Sequence, residues 1–157
     1  MEQIRLEIGA GNTLEPGWIA WDIKDGHDAR ELKFADGTVD QIRAVHVLEH
    51  IPYFETLPTL IEWHRVLKPE GRLYVAVPDF AKIVGAMLGG IADPNLERYI
   101  VGGQTNEHDF HYALFWGSKL GSMLIDAGFK SVQSAGPYGN NTSHHWCSLN
   151  MEAIKSA

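Results

Sequence analysis

Cysteine is nearly absent from this chain: a single residue, Cys147, in 157. A lone thiol excludes an intramolecular disulfide, and with it a small bridge-stapled secreted scaffold, and it suits a reducing compartment. Positive charge is also scarce, with 13 Lys and Arg against 20 Asp and Glu and a net charge of −7. Nucleic-acid backbones and anionic membranes are gripped by clustered Lys and Arg, so neither is expected as a partner. No apolar run approaches the roughly 20 residues that span a bilayer. The charged N-terminus enters a strand directly, without the apolar core of a signal peptide, and the expectation is a cytoplasmic protein. Repeats and low-complexity segments are lacking too. What remains is 45% hydrophobic and 21% charged, a composition for one globular domain, 1–157, with its own core. Histidine and tryptophan, eight and five residues, are more plentiful than expected.

Ile4-Arg5-Leu6-Glu7-Ile8 alternates apolar and charged residues as a short strand does, and Gly9-Ala10-Gly11 turns sharply off its end. Residues 18–23 read as a second strand ending in an acid, Asp22. The ten residues between Gly11 and Asp22 leave no room for a full crossover helix. Further strands are predicted at 41–47, 72–77, 129–134 and 146–155. Helices are predicted at 52–67, 80–88 and 117–127, with a short one near 96–100. Loops are predicted at 13–17 and 137–141, where Pro-Gly and Gly-Asn sequences interrupt the pattern. Strands alternating with helices indicate a mostly parallel α/β sheet, and two successive C-terminal strands add an antiparallel edge. The irregular stretch at about 89–116 is long enough to be a lid-like insertion.

Two clusters carry chemistry. His46-Val47-Leu48-Glu49-His50 matches the inverted zinc-protease signature H-x-x-E-H. That mechanism requires a continuous helix through the motif, whereas here it begins at a strand end and Pro52 follows two residues later, so no metal is expected. Glu49 and His50 are expected instead to begin the next helix. Asn106-Glu107-His108-Asp109-Phe110-His111-Tyr112 is either a solvated loop packing its aromatics on the sheet or a lid whose His108 or His111 takes a proton from a substrate. Trp18 and Trp21 read as core or edge packing, and Lys155 reads as solvated.

Taken in order, Glu7-x-Gly9-x-Gly11, Asp22, Phe34-Ala35-Asp36-Gly37-Thr38-Val39-Asp40, Val47-Leu48-Glu49-His50-Ile51 and Arg65-Val66-Leu67-Lys68-Pro69-Glu70-Gly71-Arg72-Leu73 resemble class I S-adenosylmethionine-dependent methyltransferases. The likeness is greatest to small bacterial members often associated with sugar and cell-surface pathways. It runs from about residue 4 to residue 79. The resemblance implies a Rossmann-like sheet with helices on both faces and, here, a shortened first crossover. It implies S-adenosylmethionine as cofactor and methyl transfer to a small-molecule acceptor. Glu7, Gly9, Ala10 and Gly11 then correspond to the contacts of the methionine part, Asp22 and Ile23 to those of the ribose, and Asp28 and Ala29 to those of the adenine. His46, Val47 and Leu48 correspond to the wall near the sulfonium, and Asp79 to a position facing the acceptor. His111, then His108 and His46, are the candidate catalytic bases. The shortened crossover keeps a second class open: a catalytically silent module that keeps the fold and binds the cofactor or a protein partner. Exposed tryptophans such as Trp116 leave room for a homodimer.

Overall fold

Leu6 and Ile8 point to one side of the first strand and are almost wholly buried, while Arg5 and Glu7 point to the other. In the computed structural model, which describes residues 3–12, 14–139 and 142–157, that strand, β1 (Arg5–Ile8), is central to a six-stranded sheet. Thr13, Asn140 and Asn141 of the two predicted loops lie outside the described residues. The other strands are β2 (Ile19–Trp21), β3 (Val39–Val45), β4 (Leu67–Pro78), β5 (Phe129–Ser134) and β6 (Ser148–Lys155). Their order across the sheet is β2-β1-β3-β4-β6-β5. The first four run parallel, and β6 runs antiparallel to both β4 and β5. This is the Rossmann-like, mostly parallel sheet with an antiparallel C-terminal edge that the pattern predicts. Among the described residues between β1 and β2 there are turns and no helix, in keeping with the short spacing.

Among the described residues four α-helices complete the fold: α1 (Thr56–Val66), α2 (Phe80–Leu88), α3 (Leu96–Val101) and α4 (Gly117–Asp126). Leu60 and Trp63 of α1 and Leu120 and Leu124 of α4 are fully buried against Leu6, Ile8, Ile42, Leu73 and Val75. Each such side chain contributes about 1.5–3 kcal/mol by leaving water. Helices are predicted on both faces, but the two that pack extensively on strands, α1 and α4, share one, while α2 and α3 pack mainly on each other. On the opposite face Trp18 and Tyr138 stand over Arg43.

Element ends depart from the pattern where side chains decide them. α1 starts at Thr56, not at residue 52, because residues 52–56 close a turn of their own: Glu55 N–H donates to Pro52 O at 2.8 Å and Thr56 Oγ1 to Tyr53 O at 2.8 Å. Glu49 and His50 therefore belong to a separate 3-10 turn, Leu48–His50, rather than to the helix. β4 begins before the Lys-Pro-Glu-Gly stop. Val39 pairs with Leu67 and Gln41 with Arg72, so residues 68–71 bulge out of the ladder. Lys155 is not solvated: its ammonium donates to the carbonyls of His64, Arg65 and Leu67 at 2.9, 3.2 and 2.8 Å, closing the C-terminal end of α1.

Candidate active site

The C-terminal ends of β1, β2 and β3 open on a cavity of about 460 Å³, the position where open parallel sheets bind ligands. Its floor depends on one glycine. Gly9 has φ +68, and a Cβ there would overlap Cγ2 of Val47, so only glycine lets the backbone pass this close to the cavity. Gly9 N–H donates to Trp21 O at 2.9 Å, tying the turn to the end of β2. The next residue, Asp22, is nearly buried. Its Oδ2 accepts from Gly11 N–H at 2.8 Å and its Oδ1 from Lys24 N–H at 3.0 Å, which caps the short 3-10 turn Ile23–Asp25. Each oxygen keeps a lone pair for a further donor.

Trp21 lines the cavity, with His27 stacked on it at 4.2 Å between ring centroids. The Nδ1 of His27 is buried and has no protein partner. Trp21 Nε1 donates to Asp28 O at 2.8 Å, and Trp63 Nε1 to Ala29 O at 2.8 Å, so two indoles fix the backbone of Asp28 and Ala29. The Asp28 carboxylate is gripped by Arg30, whose hydrogen bonds hold it below the usual carboxylate range. Arg30 in turn reaches Glu55 at 2.6 Å.

His46 follows the end of β3 in the left-handed region, φ 54, which is rare for a residue with a side chain. Its ring is pinned at both nitrogens, Nδ1 to Glu49 Oε1 and Nε2 to Ser148 Oγ, each at 3.0 Å. Burial opposes the charge on His46, but the Glu49 carboxylate outweighs it and the histidine titrates above its ordinary value. Beyond this ring lies a second cavity of about 530 Å³, sharing His46 and His50 with the first. His111 lines it, with Nδ1 3.1 Å from Tyr99 O. Burial pushes His111 down, more than nearby Glu49 raises it. The backbone of residues 102–112 folds over both cavities. Tyr112 N–H donates to Glu49 O at 2.8 Å, and Gly102, at φ +85, passes where a Cβ would strike Asp109 O.

Of the cofactor candidates, Gly9, Asp22, Ile23, Asp28, Ala29, His46 and Val47 converge on the first cavity. Gly11 is one step removed, serving Asp22 through its N–H. Ala10 and Leu48 are buried and do not line it. Glu7 turns to the other face of the sheet, paired with Arg43. Among the catalytic candidates His46 faces both cavities, His108 the first and His111 the second. Asp79 lines neither, its carboxylate capping α2 through Ala81 N–H at 3.1 Å. Sequence reasoning missed His27, His50, Tyr112 and Arg43. His50 had a signal, since Pro52 isolates it from the following helix. The others depend on register and long-range folding.

Residues 6–75 match a family model described as a methyltransferase domain. A SAM-dependent methyltransferase from Methanosarcina mazei is 18% identical, with TM-score 0.65 over 99% of this chain and 94% of that one. One from Thermotoga maritima is 18% identical, with TM-score 0.61 over 99% and 84%. In residues 6–75 the chain is similar to that methyltransferase-domain family, and its fold is that of these S-adenosylmethionine-dependent methyltransferases. Among more distant folds, a Haemonchus contortus phosphoethanolamine N-methyltransferase solved with S-adenosyl-L-methionine is 12% identical, with TM-score 0.64 over 100% of this chain and 49% of that one. A search of the curated proteins finds no match. Among the described residues, no helix of the chain is long and apolar enough to cross a membrane.

Proposed function

We propose that this protein transfers a methyl group from S-adenosylmethionine to a small-molecule acceptor, a sugar or another metabolite. The supporting observation is the pairing of two cavities across one wall, His46 and His50, with strand-end Asp22 and the close-approach Gly9 on the far side of the first. The first cavity suits the cofactor: its volume lies within the range of nucleotide-sized pockets, Asp22 retains acceptor capacity for vicinal hydroxyls, and the buried His27 Nδ1 lacks a protein partner. S-adenosylmethionine bound there would supply a methyl on a sulfonium, which an acceptor lone pair would take in line as the S–CH3 bond breaks and S-adenosylhomocysteine leaves. What the protein adds is alignment. Asp22 and Ile23 hold the ribose side, Asp28 and Ala29 the adenine side, and Gly9 and Val47 the methionine side. His46, fixed at both nitrogens, is a rigid wall. His111, with Nδ1 committed to a carbonyl, keeps an Nε2 lone pair that takes the acceptor's proton as long as no metal ion occupies it, and His108 stands at the rim of a lid formed by about 89–116.

Calorimetric titration with S-adenosylmethionine and S-adenosylhomocysteine tests the cofactor half of this reading. Asp22→Ala is expected to weaken both by about 10–100-fold, the worth of one or two charge-assisted hydrogen bonds. Failure of the wild-type protein to bind either ligand would replace methyl transfer by a partner-binding role. Binding without turnover over a broad acceptor panel would favour the silent module.

A further inference from the structure

Glu49 is buried to 1% exposure, and one of its carboxylate oxygens, Oε2, has no hydrogen-bond partner. A buried acceptor left unmatched is destabilising, more so when charged. The groups beside it supply no compensating donor. His50 lies with Nδ1 3.0 Å from Phe110 O, and His111 with Nδ1 3.1 Å from Tyr99 O. A carbonyl can only accept, so in both neutral rings Nδ1 carries the proton and Nε2 holds a lone pair. The rings meet edge to face, with centroids 4.8 Å apart. One ligand atom from each of Glu49, His50 and His111 lies within 4.8 Å of the other two. Three side chains able to ligate a cation thus lie close together, one of them with a buried, unmatched oxygen.

We infer that Glu49, His50 and His111 form a site for a divalent transition-metal ion in the wall between the two cavities. Two imidazoles and one carboxylate are the donor set of open zinc sites and of related iron sites. The surroundings resemble a second shell: both ligand histidines donate their other ring nitrogen to a backbone carbonyl, and the remaining Glu49 oxygen is held by His46 at 3.0 Å. Tetrahedral ligation at about 2.0–2.1 Å places donor atoms about 3.4 Å apart, so the three ligand atoms draw closer than their present separations of up to 4.8 Å when an ion binds. The expectation of no metal rested on the helix that H-x-x-E-H requires. This triad uses only Glu49 and His50 of that motif and replaces His46 with His111, so no helix is needed.

The site deepens the methyl-transfer reading in what it would hold. An ion with three protein ligands keeps a position open towards the second cavity, where an oxygen or nitrogen of the acceptor can bind and be oriented. That role rests on the methyl-transfer reading, whereas binding of the ion does not.

The test uses untagged full-length protein, dialysed against zinc-buffered solution and analysed for metal, with cobalt(II) absorption as a second readout. One zinc per chain is expected, with an intense visible cobalt band typical of low-coordinate N/O ligation. His50→Ala and His111→Ala should each weaken zinc binding about 100-fold, and Glu49→Gln similarly. If Glu49→Gln does not fold, His111→Ala alone decides, because its segment lies outside the sheet. Substoichiometric zinc in the wild type, or variants that bind as the wild type does, would overturn the site and leave a shared proton as the charge that satisfies Glu49. S-adenosylhomocysteine titration of the same samples keeps the two readings separate: cofactor binding without metal rejects only the metal site, and metal without cofactor binding rejects only the methyltransferase activity.

Discussion

At the scale of single residues, chemistry confined to a strand end was legible and chemistry set by register was not. Gly9 and Asp22 each stand at a turn that their own neighbours dictate, so residue type and spacing sufficed to locate them. Glu7 carries the same kind of local signal, yet it lies directly opposite Arg43 in the parallel pairing of β1 and β3, a relation 36 residues apart that no local pattern contains. Arg43 is 1% exposed, sits 4.4 Å from the Trp18 ring centroid and also reaches Glu15 at 3.2 Å. Burial opposes its charge, but the Glu7 carboxylate outweighs this and holds the guanidinium protonated. Arg43→Met leaves the buried Glu7 without a countercharge and is expected to lower stability by about 3–5 kcal/mol in urea unfolding. Adding Glu7→Gln should recover much of that loss, since the pair as a unit contributes far less than either half left alone. A loss below about 1 kcal/mol for the single variant would mean that water reaches Glu7 and the pair is not structural.

At the scale of elements, the periodicity located all four α-helices and missed how one of them, α1, is bounded. The start of α1 is displaced by a side-chain-closed turn, and its end is sealed from the far end of the chain by Lys155. Neither device has a local signature. His64, in the last turn of α1, lies edge-on to Phe129 at 5.0 Å and near the Lys155 ammonium. Burial, then the Lys155 charge, depresses its pKa below the ordinary 6.5. A depressed histidine binds its proton more readily in the unfolded chain, so the native state is favoured above the ordinary value and loses that advantage as pH falls through the lowered one. Urea unfolding at pH 7.5 and at pH 5.5, about one unit either side of the ordinary histidine value, should therefore show lower stability in acid. Lys155→Met has two separable effects. It strips three carbonyls of their donor, costing about 1–2 kcal/mol at either pH. It also removes the nearby charge, making the loss in acid smaller. An acid dependence unchanged in both His64→Leu and Lys155→Met would show that other groups set it.

At the scale of the whole molecule, the order of elements gave the sheet and its reversed edge, because right-handed crossovers leave few alternatives. The coverage of the faces was not legible: alternation says that helices intervene, not that α1 and α4 lie on the same side. The site is divided the same way. The first cavity gathers residues from three strand ends, which sequence could nominate, whereas the second needs 95–111 to fold back over β3 and β4. Both chambers meet at His46 and His50, so occupancy of the first should be felt throughout the domain. A ligand that binds only the folded state adds RT ln(1 + [L]/Kd), about 2.7 kcal/mol at 100 times Kd. For a domain of this size each kcal/mol raises Tm by roughly 2–4 °C, so saturating S-adenosylhomocysteine should raise it by about 5–10 °C. Asp22→Ala should lose most of that rise at the same ligand concentration, because its affinity is lower. Hydrogen exchange in the liganded protein should slow at Tyr112, whose N–H is bonded to Glu49 O beneath the segment that lines both cavities. A full Tm rise in Asp22→Ala would place the ligand elsewhere. A rise confined to the wild type, without protection at Tyr112, would keep the cofactor cavity and remove the lid.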